Sequence, residues 1–159
     1  MVKKREEILE FVQEREKPEG GFGATPRLPA TVEDTYFAVR TLRELSALRE
    51  NILKRLRAFL KGKPPGPSTQ PVVLQRWLWL AAKAGLRPPE GVKDLLAAFL
   101  RRIHPHSLKP LVLSALYESA RFLKIPVGED LPKVACTLRP RTLSDLYHLS
   151  RVAPELLTQ

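Results

Sequence analysis

Apolar residues recur at intervals of three and four along most of this chain, in segments that prolines and glycines separate. Such spacing places the apolar side chains on one face of an α-helix, whereas a strand requires alternating apolar and polar residues. Long alternating runs and the Asn-Gly or Asp-Gly turns of β-hairpins are absent. The sequence therefore predicts an all-α fold. The eight predicted helices cover residues 3–16, 32–48, 50–61, 69–84, 91–103, 108–124, 129–138 and 143–157.

The predicted helices alternate in character. A shorter, strongly charged helix precedes a longer and more apolar one, and this pairing occurs four times. The fourth helix is apolar around most of its circumference, which is typical of a helix that is buried on all sides or lines a cavity. Short connections make consecutive helices antiparallel. We therefore expect a single domain over residues 1–159, built from repeated antiparallel helical hairpins.

Two distant segments of the chain share part of their sequence. The segment that begins at Thr31 matches the segment that begins at Thr142, 111 residues later, at six of fifteen positions. This offset corresponds to three periods of about 37 residues, the size of a helical hairpin. The matched residues are Thr31, Asp34, Tyr36, Arg40, Glu44 and Leu45 in the first segment, and Thr142, Asp145, Tyr147, Arg151, Glu155 and Leu156 in the second. Each aspartate stands three residues after its threonine, as in a helix cap.

Residues 20–45 read GGFGATPRLPATVEDTYFAVRTLREL. This segment resembles the repeat of the protein prenyltransferase β-subunit and terpenoid cyclase superfamily, in which a Gly-Gly-Phe turn and a Gly/Pro-rich loop lead into an inner helix. The resemblance implies an α–α toroid, where outer and inner helices alternate around a central apolar cavity. A complete toroid has about six hairpins, and this chain has about four. We therefore expect a partial α–α toroid, an open arc that a second copy or a partner protein closes.

The resemblance also permits a check of the family's chemistry. Protein prenyltransferases hold a catalytic zinc with an Asp, a Cys two residues later and a distant His. Asp34 matches the Asp, but Tyr36 stands in the place of the Cys, and the run from Asp145 to His148 resembles the segment that supplies the His. The Asp-x-Asp-Asp run of the terpenoid cyclases is absent. These departures from the family pattern favour a protein without catalytic activity, metal or cofactor.

The concave surface of such an arc would carry the candidate ligand site. Aromatic and polar side chains of the longer helices could contact an apolar, isoprenoid-like ligand, and two arginines could contact a diphosphate. The candidates for the apolar ligand are Asp34, Tyr36, Arg40, Trp77, Tyr117, Tyr147 and His148, and those for the anion are Arg27 and Arg151. In the alternative interpretation most of the aromatic residues pack in the core, and Arg40 and Arg151 pair with the glutamates four residues on.

The formal net charge of +10 is unevenly distributed. Residues 49–102 carry twelve Lys and Arg against three acids, whereas residues 1–19 carry five against six. A basic surface could bind nucleic acid, acidic lipid or a diphosphate. The charges are spread over several helices, however, which favours a solvated outer face and argues against nucleic acid as a partner. Together with the abundant Leu and Arg, this composition leans toward a thermophilic source.

Few other residues suggest chemistry. His104 and His106 flank a proline in a predicted turn, where two histidines without a third ligand are more often exposed than bound to a metal. Cys136 is the single cysteine, which favours a cytoplasmic location, and we expect it to be small and buried rather than nucleophilic. No apolar run is long enough to span a bilayer, and the first residues do not resemble a signal peptide.

Three functions remain open from the sequence. The first is a non-catalytic superfamily member that binds an apolar ligand or a partner chain. The second is a prenyl- or terpenoid-processing enzyme that completes its site by oligomerising, against which the missing Cys argues. The third is a basic helical-repeat scaffold that binds nucleic acid, against which the Gly-Gly-Phe segment argues.

Overall fold

The computed structural model describes residues 2–102, 104, 108–127 and 130–154. Helices make up 63% of the structure, well above the usual third, and the described residues form no strand, which confirms the predicted all-helical fold. His106, Glu155 and Leu156, for which the sequence suggested roles, lie outside these residues. The helices are α1 (Val2–Gln13), α2 (Val32–Glu44), α3 (Glu50–Gly62), α4 (Pro71–Lys83), α5 (Val92–Arg101), α6 (Pro110–Phe122), α7 (Asp130–Thr137) and α8 (Leu143–Val152).

Three of the longer helices end in the same way, at positions 39 residues apart. Ser46, Gly85 and Lys124 follow α2, α4 and α6, and all three have a left-handed backbone, with φ of 52°, 66° and 54°. In each case the next residue donates its backbone N–H to a carbonyl five residues before it, over 2.7–2.9 Å. This motif terminates a helix and normally has glycine in the left-handed position. Only α4 has glycine in this position, at Gly85. Because Ser46 gives no such signal after α2, the predicted helix ran to residue 48, past its observed end at Glu44.

The chain divides into two compact units. One comprises Met1–Pro65 and Arg76–Pro89, and the other comprises Gly66–Gln75 and Glu90–Gln159. Helix α4 therefore contributes its first turn to unit 2 and the rest of its length to unit 1. Each unit has its own set of buried apolar side chains.

Unit 1 is packed around the side chain of Trp77, which is 2% exposed and the largest fully buried group. Its indole N–H donates a hydrogen bond of 2.9 Å to the backbone carbonyl of Lys63, so the polar end of the ring is satisfied inside the core. The other buried apolar residues of this unit come from α1 to α4 and the loop before α2. They include Val12, Phe22, Val39, Leu42, Ile52, Leu56, Phe59, Leu60, Leu78, Leu80 and Ala84.

The Gly-Gly-Phe turn presses against α3. Gly20 and Gly21 have φ of 92° and 75°, and a Cβ on Gly20 would stand 2.3 Å from the carbonyl oxygen of Arg55. A Cβ on Gly21 would meet the ring of Phe59 at 2.8 Å. Phe22 then enters the core, and its backbone N–H bonds the Thr35 hydroxyl of α2 at 2.9 Å. The two glycines are required because the backbone must be left-handed and must also touch the next helix.

Unit 2 is centred on the contact between α6 and α8. Leu113 and Leu149, both fully buried, belong to its core together with residues of α7. Partly buried side chains from the neighbouring segments cover this cluster. They are Leu100, Leu108, Tyr117, Val127, Val134 and Leu138.

Alternate helices run parallel within each unit. In unit 1, Glu33 and Tyr36 of α2 contact Arg76 and Trp79 of α4, so both contacts join residues 43 apart. In unit 2, Ser114 and Glu118 of α6 contact residues of α8 that lie 34 and 33 positions later. Because the partner positions ascend together, the two helices of each pair point in the same direction. Stacked antiparallel hairpins place alternate helices in this way.

Candidate binding cavity

The polar candidates on α2 make local contacts. The Thr31 hydroxyl accepts the backbone N–H of Asp34 at 3.0 Å and donates to the Asp34 carboxylate at 2.6 Å. One turn on, Arg40 donates to the Tyr36 hydroxyl at 3.2 Å. Asp34 is therefore part of a helix cap, and Tyr36 and Arg40 form a pair on the surface of the same helix.

The remaining candidates are distributed between core and surface. Trp77 is buried in the core of unit 1, the position that the packing alternative predicts for it. Tyr117 is half-buried against the core of unit 2, and Arg27 is exposed in the loop before α2. Cys136 is exposed, contrary to the expectation of a buried side chain. None of this group lines the cavity of unit 2 described below.

The candidates on α8 belong to a chain of hydrogen bonds that joins three helices of unit 2. Arg151 donates to the Tyr147 hydroxyl at 3.1 Å and to the Glu118 carboxylate of α6. The same carboxylate accepts the side-chain N–H of Gln75 at 2.7 Å. Glu118 and Gln75 are largely buried, so this network replaces the water that their polar atoms lose. The Glu118 carboxylate therefore offsets the charge of Arg151.

His148 occupies the position next to this network and faces α6. Its Nδ1 lies 2.9 Å from the Ser114 hydroxyl, which itself donates to the carbonyl of Leu111 at 3.1 Å. The tautomer of the imidazole decides which of the two groups donates in the first contact. Burial lowers the pKa of His148 below 6.5 and outweighs the charge of Glu118, which raises it. The ring is therefore neutral at pH 7.

His148 also lines a cavity of about 570 Å³ in unit 2. The start of α6 forms one wall, and the end of α7 with the start of α8 forms the other. This volume lies in the range of small-molecule sites. Its lining residues are Leu108, Lys109, Pro110, Leu111, Leu138, Arg139, Arg141, Thr142, Ser144, Asp145 and His148. The cavity thus combines aliphatic walls with side chains that can bind an anion.

The charges around the cavity are mainly positive. Lys109, Arg139 and Arg141 are exposed and make no ion pair within the described residues. Asp145 is the only acid among the described lining residues, and its carboxylate accepts the backbone N–H groups of Arg141 and Thr142, at 3.0 and 3.1 Å. The N-terminus of α6 opens here, and Lys109 provides no side-chain cap for it. An anion would meet three cations and a helix dipole of the favourable sign.

The sequence pattern predicted His148 as a site residue but did not predict the three cations beside it. A signal was present, since Arg139-Pro140-Arg141 places two cations directly before the capping residue Thr142. It carried little weight because arginines in a turn are commonly solvated. What it lacked was the position of Lys109, some 30 residues earlier in the chain, on the opposite wall.

No metal site is present in the part of the chain that the structure describes. No three His, Cys, Asp or Glu side chains there come close enough to share an ion. His104 is exposed, and its neighbour in the proposed clip, His106, lies outside the described residues. The histidines therefore do not assemble a metal centre among these residues.

Comparison of the sequence with protein-family models matches no family, and neither the search of curated proteins nor that of solved structures finds a match. Among the described residues, no helix has the length and apolar character needed to cross a membrane. The geometry of the cavity is therefore the basis for a functional proposal.

Proposed function

We propose that this protein is a non-catalytic helical-repeat binding protein whose ligand is an amphipathic anion, with an isoprenoid-like apolar chain and a phosphate or diphosphate head. The observation that carries the proposal is the cavity of unit 2, where aliphatic and cationic side chains line the same space. The resemblance of residues 20–45 to the prenyltransferase and terpenoid cyclase repeat suggests the same class of ligand.

The two halves of such a ligand have separate complements in the cavity. Leu108, Leu111 and Leu138 offer aliphatic surface to the chain, and Leu111 is 41% exposed without a ligand. Burying that surface stabilises a complex by about 25 cal/mol for each Å² removed from water. Arg139 and Arg141 supply planar guanidinium groups, which bind phosphate oxygens in pairs. Neither half alone uses the whole cavity.

A catalytic role receives less support from the same residues. His148 could accept a proton, but the other titratable side chains of the described lining are Asp145, whose carboxylate accepts two backbone N–H groups, and three cations. General acid–base chemistry on a diphosphate ester requires a paired donor or a metal. We therefore favour binding over turnover, and we retain the open arc with a second copy as the assembly in which the cavity operates.

The proposal is tested by isothermal titration with geranyl diphosphate, geraniol and inorganic diphosphate. We expect geranyl diphosphate to bind more tightly than either fragment, because only the whole molecule contacts both surfaces. Inorganic diphosphate binding as tightly as the whole molecule would show a purely ionic site, and equal binding of geraniol would show that the cations are irrelevant. Product formation during incubation would favour the enzyme alternative.

Two matched double variants of unit 2 each remove two positive charges, one pair inside the cavity and the other outside it. Replacing Arg139 and Arg141 with alanine should weaken geranyl diphosphate binding by about 10- to 100-fold, as expected for the loss of two charge-assisted contacts. Replacing Lys93 and Arg121, both exposed and outside the cavity, should leave the affinity within about twofold. Equal losses in the two double variants would mean that net charge, and not the cavity, determines binding.

A further inference from the structure

A second candidate surface lies in unit 1, on the face where α2 and α4 run side by side. Tyr36 and Phe37 of α2 and Trp79 of α4 form one aromatic group. The Tyr36 ring stands edge-on to Trp79 at 5.1 Å between centroids, and edge-on to Phe37 at 5.4 Å. We call these three rings, together with the cations Arg40, Arg76 and Lys83 beside them, the α2–α4 ladder.

Each ring of the ladder has a cation near it. The Arg76 guanidinium lies 4.9 Å from the Phe37 centroid and 5.5 Å from that of Tyr36. The Lys83 ammonium lies 5.4 Å from the Trp79 centroid. These separations are within the range of cation–π attraction, in which the charge stands over one face of the ring. The result is a surface where aromatic groups and positive charges alternate.

The three rings are only partly buried by the protein. Phe37 is 54% exposed, and Tyr36 and Trp79 are each half-buried. Phe37 also borders a hollow of about 180 Å³, on whose rim stands Phe11 of α1, which is 56% exposed. Large exposed rings on adjacent helices are unusual for a surface that serves only packing. The exposed aromatic surface therefore extends from α4 across α2 to α1.

The charge on this surface is not neutralised locally. Arg76 pairs with Glu33, but Arg40 and Lys83 make no ion pair within the described residues. They stand 43 residues apart, the same separation as the two contacting pairs of α2 and α4, and each lies one turn beyond an aromatic residue. Along the two helices, the ion pair of Glu33 with Arg76 comes first. The contact between the Tyr36 and Trp79 rings follows, and the two cations lie one turn after the rings.

We propose that the α2–α4 ladder binds single-stranded nucleic acid. Unpaired bases stack on exposed aromatic rings, whereas phosphates require cations beside those rings, and the ladder supplies both at once. Phe37 is the platform for a base, and Arg40 and Lys83 contact the backbone. A duplex hides the faces of its bases, and an acidic peptide has few planar groups to stack, so neither uses the aromatic half of the surface.

Binding is measured by fluorescence anisotropy with a labelled oligothymidylate of about 20 nucleotides and with a duplex of the same length. We expect the single strand to bind more tightly than the duplex, and Trp79 fluorescence to be quenched on binding. Phe37→Ala should weaken binding by about 5- to 100-fold, the loss expected for one stacked base. Arg40→Ala combined with Lys83→Ala should reduce the slope of log K against log salt by about 1.4, the value for two lost phosphate contacts.

The controls remove the same number of rings or positive charges at positions outside the ladder. Phe122→Ala removes another ring that is 40% exposed, and Lys54→Ala with Lys61→Ala removes two exposed cations of α3. These variants should bind as the unmodified protein does, apart from a small uniform effect of charge. A preference for the duplex, an unchanged affinity in Phe37→Ala, or equal losses in ladder and control variants would each overturn the proposal.

Discussion

The ring of Tyr36 stands edge-on against Trp79, 43 residues later, with 5.1 Å between the centroids. This contact fixes the register of α2 against α4, since sliding either helix by one turn would separate the rings and break the pairing of Glu33 with Arg76. At the corresponding position in the second half of the sequence repeat, Tyr147 stands edge-on to its neighbour His148, with 5.2 Å between the centroids. It accepts a hydrogen bond from Arg151, as Tyr36 does from Arg40.

The first prediction concerns the glycine turn. Gly20→Ala should lower the free energy of unfolding by at least about 2 kcal/mol, because the substitution combines left-handed strain with a contact of 2.3 Å to the Arg55 carbonyl. Gly85→Ala is the control, since its φ is also positive but nothing lies within 4 Å of the added Cβ. Its cost should be about 1 kcal/mol. Urea denaturation of both variants measures the difference, and equal costs would contradict the close approach of α3.

A second prediction separates the two helix caps of the repeat. The Asp145 carboxylate accepts two backbone N–H groups, while the Asp34 carboxylate accepts only the Thr31 hydroxyl, because the Thr31 backbone N–H bonds Phe22 instead. Asp145→Ala should therefore cost about 1–2 kcal/mol and Asp34→Ala about 0.5 kcal/mol. Thermal or urea unfolding gives both values. If Asp34→Ala is the more costly, the carboxylate of Asp34 has a role that its hydrogen bonds do not reveal.

The third prediction tests the network around Glu118. Glu118→Ala leaves the Gln75 amide without its acceptor and Arg151 without its acid, so it should cost about 1–3 kcal/mol. The comparison is Glu50→Ala, which breaks the ion pair of Glu50 with Arg57. Because the Glu50 side chain is 73% exposed, this change should cost less than about 1 kcal/mol. Equilibrium denaturation at low and high salt compares the two. A loss in Glu118→Ala that disappears at high salt would show that the network is no better shielded than the surface pair.

The fourth prediction follows from the protonation of His148. Burial lowers its pKa below 6.5 in the folded protein, so the unfolded chain takes up a proton at a higher pH than the folded one. Its contribution to stability is complete above about pH 6.5 and is lost as the pH falls through the folded pKa. His148→Gln should flatten the fall in denaturation midpoint between about pH 7 and pH 5. His104→Gln, a change at an exposed position, serves as the comparison, and an identical pH profile in the His148 variant would contradict the assignment.

Sequence alone determined the parts of this protein that depend on neighbouring residues. The number of helices, the hairpin alternation and the caps at Thr31 and Thr142 all arise from interactions across three or four positions, and helical periodicity records these directly. The ends of α2 and α6 were harder to predict, because Ser46 and Lys124 adopt the left-handed conformation where glycine is usual. There, the backbone bonds of the helix end outweigh the preference of the residue.

Only the tertiary structure decided which surfaces these helices assemble. The cavity of unit 2 joins Lys109 to Arg139 and Arg141, and the α2–α4 ladder joins Tyr36 to Trp79. Such groupings of residues depend on the axial register between helices that are distant in sequence. The packing of many buried side chains sets that register. The same packing placed Trp77 in the core and Trp79 at the surface, two residues apart on a helix whose apolar residues cover most of its circumference.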